Sequence, residues 1–600
     1  MATKKLVNDP DNAVEEAIDG FLICNPTLVR LDGTRAVIRR DFSDENKVAL
    51  LCGGGSGHEP AHVGYMGRAM LSAVVPGLVF TSPPPRDIYA AIVELGSRTS
   101  SGVLIIVMNY TGDRLNFGLA AERAKARGID VEVVIVDDDC ALPMGGKSAG
   151  RRGLCGTVFV NKIAGALADQ GRSLKEVAAA ARNATRDMGT IAVSLSSCSV
   201  PGRPPSFTLG SNEMELGLGM HGEAGVERCR IKKADEIVSI MIEHMLKSYD
   251  EGCYLKLCPG LISSLTCINL IIINDFVGDR IALIVNNLGG TSVLEMSIVA
   301  RAAVLYLTKN KDVKVERCYV GTFTTSLEMA GVSLSILHVD DTRLQCLDYP
   351  TDAPAWRLSV LTPQCDLDQL WVKPNVFEKH ALQASTGNSG AATISSADAK
   401  TLAIVLRSIS VALIENESKL NELDRGVGDG DCGSTHRQGA MAVQEALDNQ
   451  TLHCDCPSDC LDTLAKLLES NMGGTSGAVY SIFLTAAARE LVSEVAISTF
   501  QKAFESGIEA VMTHGGAKAG DCTMLDAMIP ACASMRSLAA TFADVIDAAA
   551  KEAELGAQKT IEMTAKAGRS SYVKAGDLKV PDPGAVAVSL WLRAAAEALK

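Results

Sequence analysis

The chain has 600 residues, 47% hydrophobic and 21% charged, enough apolar material for more than one core, and its length suggests roughly two to four domains. Its 57 basic and 71 acidic residues leave a formal net charge of −14, which opposes attraction to a phosphate backbone, and no lysine- and arginine-rich run is interleaved with aromatics. Nucleic acid is therefore not an expected partner. The opening stretch, MATKKLVNDPDNAVEEAIDG, has lysines followed at once by acidic residues, with neither an apolar h-region nor an arginine-rich amphipathic pattern, so no targeting signal is expected. The most apolar stretch, Leu270 to Val285, is interrupted by Asp275, Gly278, Asp279 and Arg280. It reads as two buried strands and a turn, not as a membrane span of about 20 apolar residues. The 18 cysteines are scattered and read as reduced thiols, which fits a cytoplasmic location.

From Lys47 to about Val339, KVALLC, GVLIIVMNY, VEVVIV, RIALIVNNL and VSLSILHV are predicted strands, alternating with predicted helices such as FGLAAERAKARG and ADEIVSIMIEHMLKS. That pattern predicts α/β layers. The first strand runs into Gly53, Gly54, Gly55, Ser56 and Gly57, then His58 and Glu59. Glycines at a strand end let backbone N–H groups approach a small polar ligand, and His58 can move a proton near neutral pH. No lysine follows as a Walker A loop requires, no G-x-G-x-x-G opens a helix, and a plain turn is an equally good reading. The next strand end, IIVMNYTGDRLNFGLAAE, sets Asn109, Thr111 and Asp113 at the carboxyl edge of a sheet, where such folds bind ligands; a helix N-cap is the alternative for Asp113. In ELGLGMHGEAG, His221 lies between Gly219 and Gly222, open to close approach, although a lone loop histidine is more often simply hydrogen-bonded in place.

From about Ser395 the pattern changes to long alanine- and leucine-rich helices: DAKTLAIVLRSISVALIENESKLNELD, LDTLAKLLESN, AVYSIFLTAAARELVSEV and FADVIDAAAKEAELGAQKTIEMTAKA. Ala381 to Lys400 is built of small and polar residues and reads as linker, which gives domains at 1–350 and 396–600 with a linker region over 351–395. Asp424, Asp429 and Asp431 follow a D-x-x-x-x-D-x-D spacing in a stretch, Gly428 to Gly439, that reads as too glycine-rich for a helix. Gly426, Gly428 and Gly430 free it to turn the carboxylates inward around a hard cation, and Mg2+ shared with substrate phosphates fits. An EF-hand starting at Asp429 would need oxygen ligands where Gly433 and Ala440 stand, so calcium is disfavoured; a solvated acidic turn is the plain alternative. Cys454, Cys456 and Cys460 cluster without a matching second pair and read as a surface loop with adventitious thiols. Gly473, Gly474, Thr475, Ser476 and Gly477 open a long helix, whose free N–H groups attract phosphate oxygens. GGAKAGDCTMLDAMIP and PDPGAVAVSL are helix N-termini or breaks; with a metal loop they suggest a nucleotide held at one end of a helical bundle.

In this order, GGGSGHEPAHVGYMG, NYTGDRLNFGLAAE, GRRGLCGTVFVNKIAGA, SLSSCSVPG, LGMHGEAG, DRGVGDGDCGSTH, GGTSGAVY, GDCTMLDA and PDPGAVA resemble the ATP-dependent dihydroxyacetone kinase family, above all its animal branch, over nearly the whole chain. The resemblance implies a multidomain fold. An N-terminal α/β DhaK-type domain of two α/β subdomains would bind the triose, and a C-terminal all-α DhaL-type helical barrel would bind Mg-ATP. It further implies a homodimer in which each triose domain faces the other subunit's nucleotide domain. By the resemblance, His221 bonds covalently to the carbonyl carbon of the triose, Gly55, Ser56, Gly57, His58, Met108 and Asp113 contact it, and His58 and Asp113 are general acid/base candidates. Asp424, Asp429 and Asp431 match the Mg2+ ligands. Asp429, Gly430, Asp431, Cys432, Gly474, Thr475, Gly515, Thr523, Met524, Asp582, Pro583 and Gly584 match nucleotide-contacting segments. The animal branch implies a second activity, splitting FAD into AMP and cyclic FMN with Mn2+ preferred. Two departures stand out: Met108 and Cys522 occupy positions where a basic residue is usual in the family. The rival reading, a regulator that keeps the fold for protein binding without catalysis, is opposed by the intact His221 and aspartate set.

Overall fold

The computed structural model describes residues 4–43, 46–142, 150–205, 207–250, 279–356, 391–426, 428–536, 541–567 and 580–600, and the chain divides into two compact units, Met1–Val372 and Lys373–Lys600.

The first unit is built on two six-stranded mixed sheets. Strands β1 (Leu28–Arg30), β2 (Val37–Arg39), β3 (Ala49–Ser56), β4 (Ala73–Val79), β5 (Val103–Met108) and β6 (Val131–Val136) form the first, in the order β1-β2-β4-β3-β5-β6, with β4, β3, β5 and β6 parallel. Strands β7 (Met188–Ser194), β8 (Glu213–Leu216), β9 (Glu227–Arg230), β10 (Arg280–Asn287), β11 (Lys314–Gly321) and β12 (Gly331–His338) form the second, in the order β11-β10-β12-β7-β8-β9. Helices α1 (Ala13–Cys24), α2 (Pro85–Arg98), α3 (Thr111–Lys125), α4 (Thr157–Asp169), α5 (Leu174–Arg186), α6 (Ala234–Asp250), α7 (Val293–Leu305) and α8 (Asp341–Asp348) surround them.

Because side chains alternate across a strand, a continuous apolar run such as VLIIVM in β5 must be covered on both faces. It is. Ala49, Leu51, Val103, Ile105 and Val107 pack with Ile88, Ile92, Leu95 and Phe117 of α2 and α3. Their neighbours Leu50, Cys52, Leu104 and Ile106 pack with Val158, Ile163, Val177 and Ala181 of α4 and α5. That second core also takes in Ala282, Ile284 and Leu337 of β10 and β12, so one apolar layer binds the two sheets together. Capping boxes at Ser173–Glu176 and Ser292–Glu295 start α5 and α7.

Helices α9 (Ser396–Glu415), α10 (Glu417–Asp424), α11 (Cys432–Asp448), α12 (Pro457–Met472), α13 (Gly474–Glu490), α14 (Ile497–Gly515), α15 (Leu525–Ser534), α16 (Phe542–Lys559) and α17 (Pro583–Ala598) make up the described part of the second unit, which contains no strand. Small residues let α16 and α17 approach closely: Ala549, Ala550, Ala553, Ala585, Ala587 and Ala596 are fully buried. The helices enclose an apolar cavity of about 690 Å³ lined by residues such as Leu402, Val405, Phe483 and Phe504, the hollow centre that a helical barrel implies.

Several expectations need correction. The glycine-rich stretch from Gly428 is helical from Cys432 onward, because the glycines inside α11 are buried at close packing: a Cβ at Gly439 would meet Met472 Cγ at 2.5 Å. The run from Asp398 to Asp424 is broken at Asn416 into α9 and α10, and the run from Phe542 ends as a helix at Lys559. Cys454, Cys456 and Cys460 are buried rather than on a surface loop, with Cys454 and Cys460 in a core with Val443 and Leu464. Ser395 caps α9 by accepting the Asp398 N–H, so the helix begins inside the stretch read as linker; residues 381–390 lie outside the described residues. Of the two strands read in Leu270 to Val285, the second is β10, and 270–278 lie outside the described residues. No helix among the described residues is long and apolar enough to cross a membrane, and no disulfide joins the cysteines among them.

Candidate active site

In the first unit the C-terminal end of β3 meets the segment between β11 and β12. Leu327 N–H donates to the Gly57 carbonyl at 2.8 Å and Thr325 N–H to the His58 carbonyl at 3.1 Å, which stitches the glycine turn to the second sheet. Gly55 is required by close approach, since a Cβ there would lie 2.7 Å from Thr81 N and 2.9 Å from Phe80 Cα, and Gly57 adopts φ +99°. Phe80, itself at φ +55°, then stacks on the His58 ring with centroids 5.1 Å apart. Such backbone conformations at non-glycine residues concentrate at functional sites.

His221 arrives from the turn between β8 and β9. Its ring lies edge-on to His58, Phe80 and Tyr110 at centroid distances of 5.0, 5.0 and 4.8 Å. Nε2 of His221 is 3.2 Å from Nε2 of His58, and His58 Nδ1 is 2.8 Å from the Thr325 carbonyl oxygen. On the other side, His221 Nδ1 lies 2.8 Å from Glu223 Oε1, while Glu223 Oε2 accepts the His221 backbone N–H at 3.0 Å. Burial, then repulsion from His221, push His58 down to about 3. Burial alone would raise the Glu223 carboxyl, but the hydrogen bond and charge of His221 outweigh it and bring it down to about 2.

Asp113 is not the helix cap: Tyr110 holds that position, and Asp113 sits in the first turn of α3 with its carboxyl buried. Its Oδ1 has no hydrogen-bond partner, nor does the buried Tyr110 Oη. Burial raises the Asp113 carboxyl, as suits a proton acceptor. Ser56 is committed elsewhere, its hydroxyl donating to the Gly77 carbonyl at 2.7 Å. Met108 is buried with Leu154, Met220 and partly buried Tyr110, so the wall beside His221 is apolar at this point.

In the second unit the oxygens of Asp424, Asp429 and Asp431 lie within 4.8 Å of one another, Asp429 and Asp431 exposed. Asp424 ends α10, and its Oδ2 accepts the N–H groups of Asp431 at 3.0 Å and Cys432 at 3.2 Å, which folds the loop back on itself. Three hard oxygen donors with two solvent-facing members fit a hexacoordinate cation that keeps waters. Nearby, Asp526 accepts the N–H groups of Gly520 at 2.5 Å and Thr523 at 2.9 Å, shaping the loop that carries Thr523 and Met524. Asp582 caps α17 by accepting the Ala585 N–H at 2.7 Å, next to Pro583 and Gly584 in its first turn. Burial first, then the charges of Asp526 and Asp424, raise Asp582 to about 7. Cys522, at φ +60°, is raised to about 11 by burial and by Asp582 and Asp526, and brings no positive charge to this cluster. Gly474 and Thr475 open α13 in solvent, and Gly515 ends α14, also exposed. His436 Nε2 meets Tyr480 Oη at 3.2 Å one to two turns inside α11 and α13, which sets the first turns of these two helices at one end of the unit.

The structure thus gathers His221, His58, Gly57, Met108 and Asp113 in one cluster, and the three aspartates with Cys432, the Thr523 loop and Asp582 in another; no hydrogen bond among the described residues ties Gly515 to the second. Sequence reasoning missed Glu223, Phe80, Tyr110, Thr325 and Asp526 as parts of these sites. Glu223 had a signal, a carboxylate two residues after the histidine; Phe80 and Thr325 come from other parts of the chain and had none. It also missed Arg152, which donates to the Gly217 carbonyl at 2.7 Å and to Asp139 at 2.6 Å and so props the turn that carries His221.

The chain matches the Dak1 domain over residues 19–355 and the DAK2 domain over residues 426–597. It is 43% identical to the triokinase/FMN cyclase of Homo sapiens, with 100% of both chains covered. It is 35% identical to dihydroxyacetone kinase 2 of Saccharomyces cerevisiae, with 99% of this chain and 98% of that one covered. Among solved structures, the dihydroxyacetone kinase from C. freundii in complex with AMP-PNP and Mg2+ is similar with a TM-score of 0.63 and 31% identity, over 99% of this chain and 100% of that one.

Proposed function

The chain belongs to the dihydroxyacetone kinase family, and from that membership we propose that it transfers the γ-phosphate of ATP to dihydroxyacetone or D-glyceraldehyde, with the triose held covalently on His221. The observation that carries this reading is the pairing of His221 with buried His58 at 3.2 Å beside a carboxylate, Asp113, whose Oδ1 is unpartnered. A nitrogen that adds to a carbonyl selects for carbonyl trioses and gives glycerol no bond to form. The captured triose is then fixed in position, and Asp113 accepts the proton of the hydroxyl to be phosphorylated. Asp424, Asp429 and Asp431 would hold Mg2+, which when bound neutralises charge on the phosphates during transfer. The exposed first turn of α13, with Gly474 and Thr475, offers free N–H groups to phosphate oxygens, while the Thr523–Met524 loop and the Asp582–Gly584 turn flank the nucleotide.

The identity to the human triokinase/FMN cyclase across both units supports a second activity, formation of cyclic FMN; we propose that it splits FAD into AMP and cyclic FMN at the aspartate site, with Mn2+ preferred. Family membership supports a homodimer, and the scattered thiols support a cytoplasmic location. Nothing supports a non-catalytic role.

The test is ADP release with Mg-ATP and dihydroxyacetone, D-glyceraldehyde, glycerol or no acceptor, on the wild type and on His221→Ala. The carbonyl trioses alone should stimulate the wild type, and the variant should lose that stimulation; unchanged turnover in the variant would remove covalent capture from the reading.

A further inference from the structure

The hydrogen bonds that run through the triose pocket fix a proton count. The Thr325 carbonyl oxygen can only accept, so His58 Nδ1, 2.8 Å away, carries a proton. Glu223 faces both Nδ1 and the backbone N–H of His221, at 2.8 and 3.0 Å, so His221 Nδ1 carries a proton as well. Between the two Nε2 atoms, 3.2 Å apart, a third proton is needed, because two bare lone pairs would repel. Three protons on two imidazoles make one imidazolium. The carboxylate of Glu223 faces His221 at 2.8 Å, whereas His58 Nδ1 meets only the neutral Thr325 carbonyl, so the geometry places the charge on His221 and leaves His58 the neutral ring.

We propose that Glu223 is a positioning residue for capture of the carbonyl substrate: it holds His221 as one half of an imidazolium–carboxylate pair before the bond forms and balances the same charge on the adduct afterwards. The proposal rests on the kinase reading above. As the lone pair of His221 Nε2 attacks the carbonyl carbon, the shared proton crosses the 3.2 Å contact to His58 Nε2, which carries it only in transit. The π pair of the C=O bond moves to oxygen, and that oxygen takes the proton back from His58 Nε2. A C–N bond and an O–H bond have formed, the carbonyl π bond is gone, and His58 is neutral again. His221, now substituted at Nε2 and still protonated at Nδ1, carries the same single positive charge opposite Glu223. No proton enters from solvent and the pocket's net charge is unchanged.

The other groups around His221 leave this task to Glu223. Tyr110, raised well above its ordinary value by burial, stays neutral. Asp113 is raised by burial and reaches His221 only through space. Arg152 would repel the imidazolium, but its guanidinium is bound at 2.6 Å to Asp139. Nor is Glu223 free to turn away: a Cβ at Gly219 would collide with both its Oε2 and Arg152 Nη1, so the turn closes tightly on the pair.

Glu223→Gln is the decisive variant, since its amide oxygen still accepts from Nδ1 but carries no charge. The readouts are KM for dihydroxyacetone, KM for ATP, the pH dependence of both, and the 13C signal of carbonyl-labelled dihydroxyacetone bound to the whole protein. The expected result is a triose KM raised about tenfold or more, an unchanged ATP KM, and a weakened tetrahedral-carbon signal. Capture by an uncharged dyad must take up a proton, so affinity falls with rising pH, and without Glu223 that fall begins at lower pH. Glu223→Asp should restore the wild-type pH limb at least in part, and serves alone if the glutamine variant does not fold. A glutamine variant, or failing that an aspartate variant, whose triose KM and pH limb show no such link to charge would overturn the proposal while leaving the kinase reading intact. A wild type that gives neither a tetrahedral carbon nor triose-dependent ADP would overturn both.

Discussion

A Cβ placed on Gly428 would stand 2.3 Å from Oδ1 of Asp424, so the loop that brings Asp429 and Asp431 round closes directly over the carboxylate at the end of α10. The glycine is there because the metal loop leaves no room for a side chain. Gly428→Ala should therefore displace Asp424 and disturb the N–H bonds that its Oδ2 accepts from Asp431 and Cys432. The expected outcome is a half-saturating Mg2+ concentration and an ATP KM each raised on the order of tenfold, about 1.4 kcal/mol. Capture of the triose, read by the 13C signal without ATP, should be as in the wild type. Metal titration of ADP release checks the first part, and unchanged metal dependence would show that Asp424 is not a ligand.

Gly57 makes the matching case in the triose pocket. It adopts φ +99°, and a Cβ there would lie 2.8 Å from the Phe80 ring, which itself stacks on His58 and abuts His221. Gly57→Ala carries about 1–3 kcal/mol of backbone strain and pushes Phe80 toward the histidine pair. We expect kcat/KM for dihydroxyacetone to fall roughly 10- to 100-fold, as misplacement of a reacting group by about 1 Å does, with the ATP KM unchanged. Steady-state kinetics with either substrate varied is the measurement.

What the sequence made legible follows from how local each signal is. The strands were readable because VLIIVM and RIALIV are apolar on both faces, and the helical half because its apolar spacing persists over many turns. His221 and Asp424, Asp429 and Asp431 could be singled out because their glycine neighbours mark loops. The partners that give them their chemistry were not readable. Thr325 and Phe80 reach His58 through tertiary packing of two sheets, and nothing in VFTSPPP around Phe80 announces a ring beside a histidine. Cys454 and Cys460 misled for the opposite reason: without a matching second pair they read as adventitious thiols on a loop, whereas both lie in an apolar core with Val443 and Leu464. The glycines of α11 misled likewise, because helix packing, not chain flexibility, required them.

The two sites should separate genetically. The triose pocket and the aspartate cluster lie in different compact units, and the proposed splitting of FAD uses the second. Asp429→Ala should abolish both triose-dependent ADP release and formation of cyclic FMN from FAD with Mn2+, whereas His221→Ala should abolish the first and retain the second at near wild-type rate. Chromatography of the flavin products alongside the ADP assay makes the comparison on the same preparations. Loss of FAD cleavage in His221→Ala would place the flavin reaction in the triose pocket instead.

Acid stability offers a test of the buried histidines. His62 is 5% exposed, its Nε2 has no partner, its Nδ1 lies 3.3 Å from Cys52 Sγ, and burial pushes it down to about 4. With His58 at about 3, two rings stay neutral in the folded chain where the unfolded chain, titrating near 6.5, binds protons. Their contribution is therefore complete above about pH 6.5 and is lost as pH falls toward 4. Asp138 works in the other direction: burial raises it to about 6, so its contribution is present at low pH and lost as pH rises through 6. Between about pH 4.5 and 6 the unfolded chain binds two protons at these histidines and the folded chain one at Asp138. For these three groups the net is one proton, a contribution to stability that rises by about 1.4 kcal/mol per pH unit. Removing one histidine cancels it. In His62→Leu these groups should give a nearly flat profile across that interval, and denaturant melts of both proteins at pH 4.5, 5.25 and 6 should differ in slope by about 1.4 kcal/mol per unit; equal slopes would mean that His62 is charged in the folded chain.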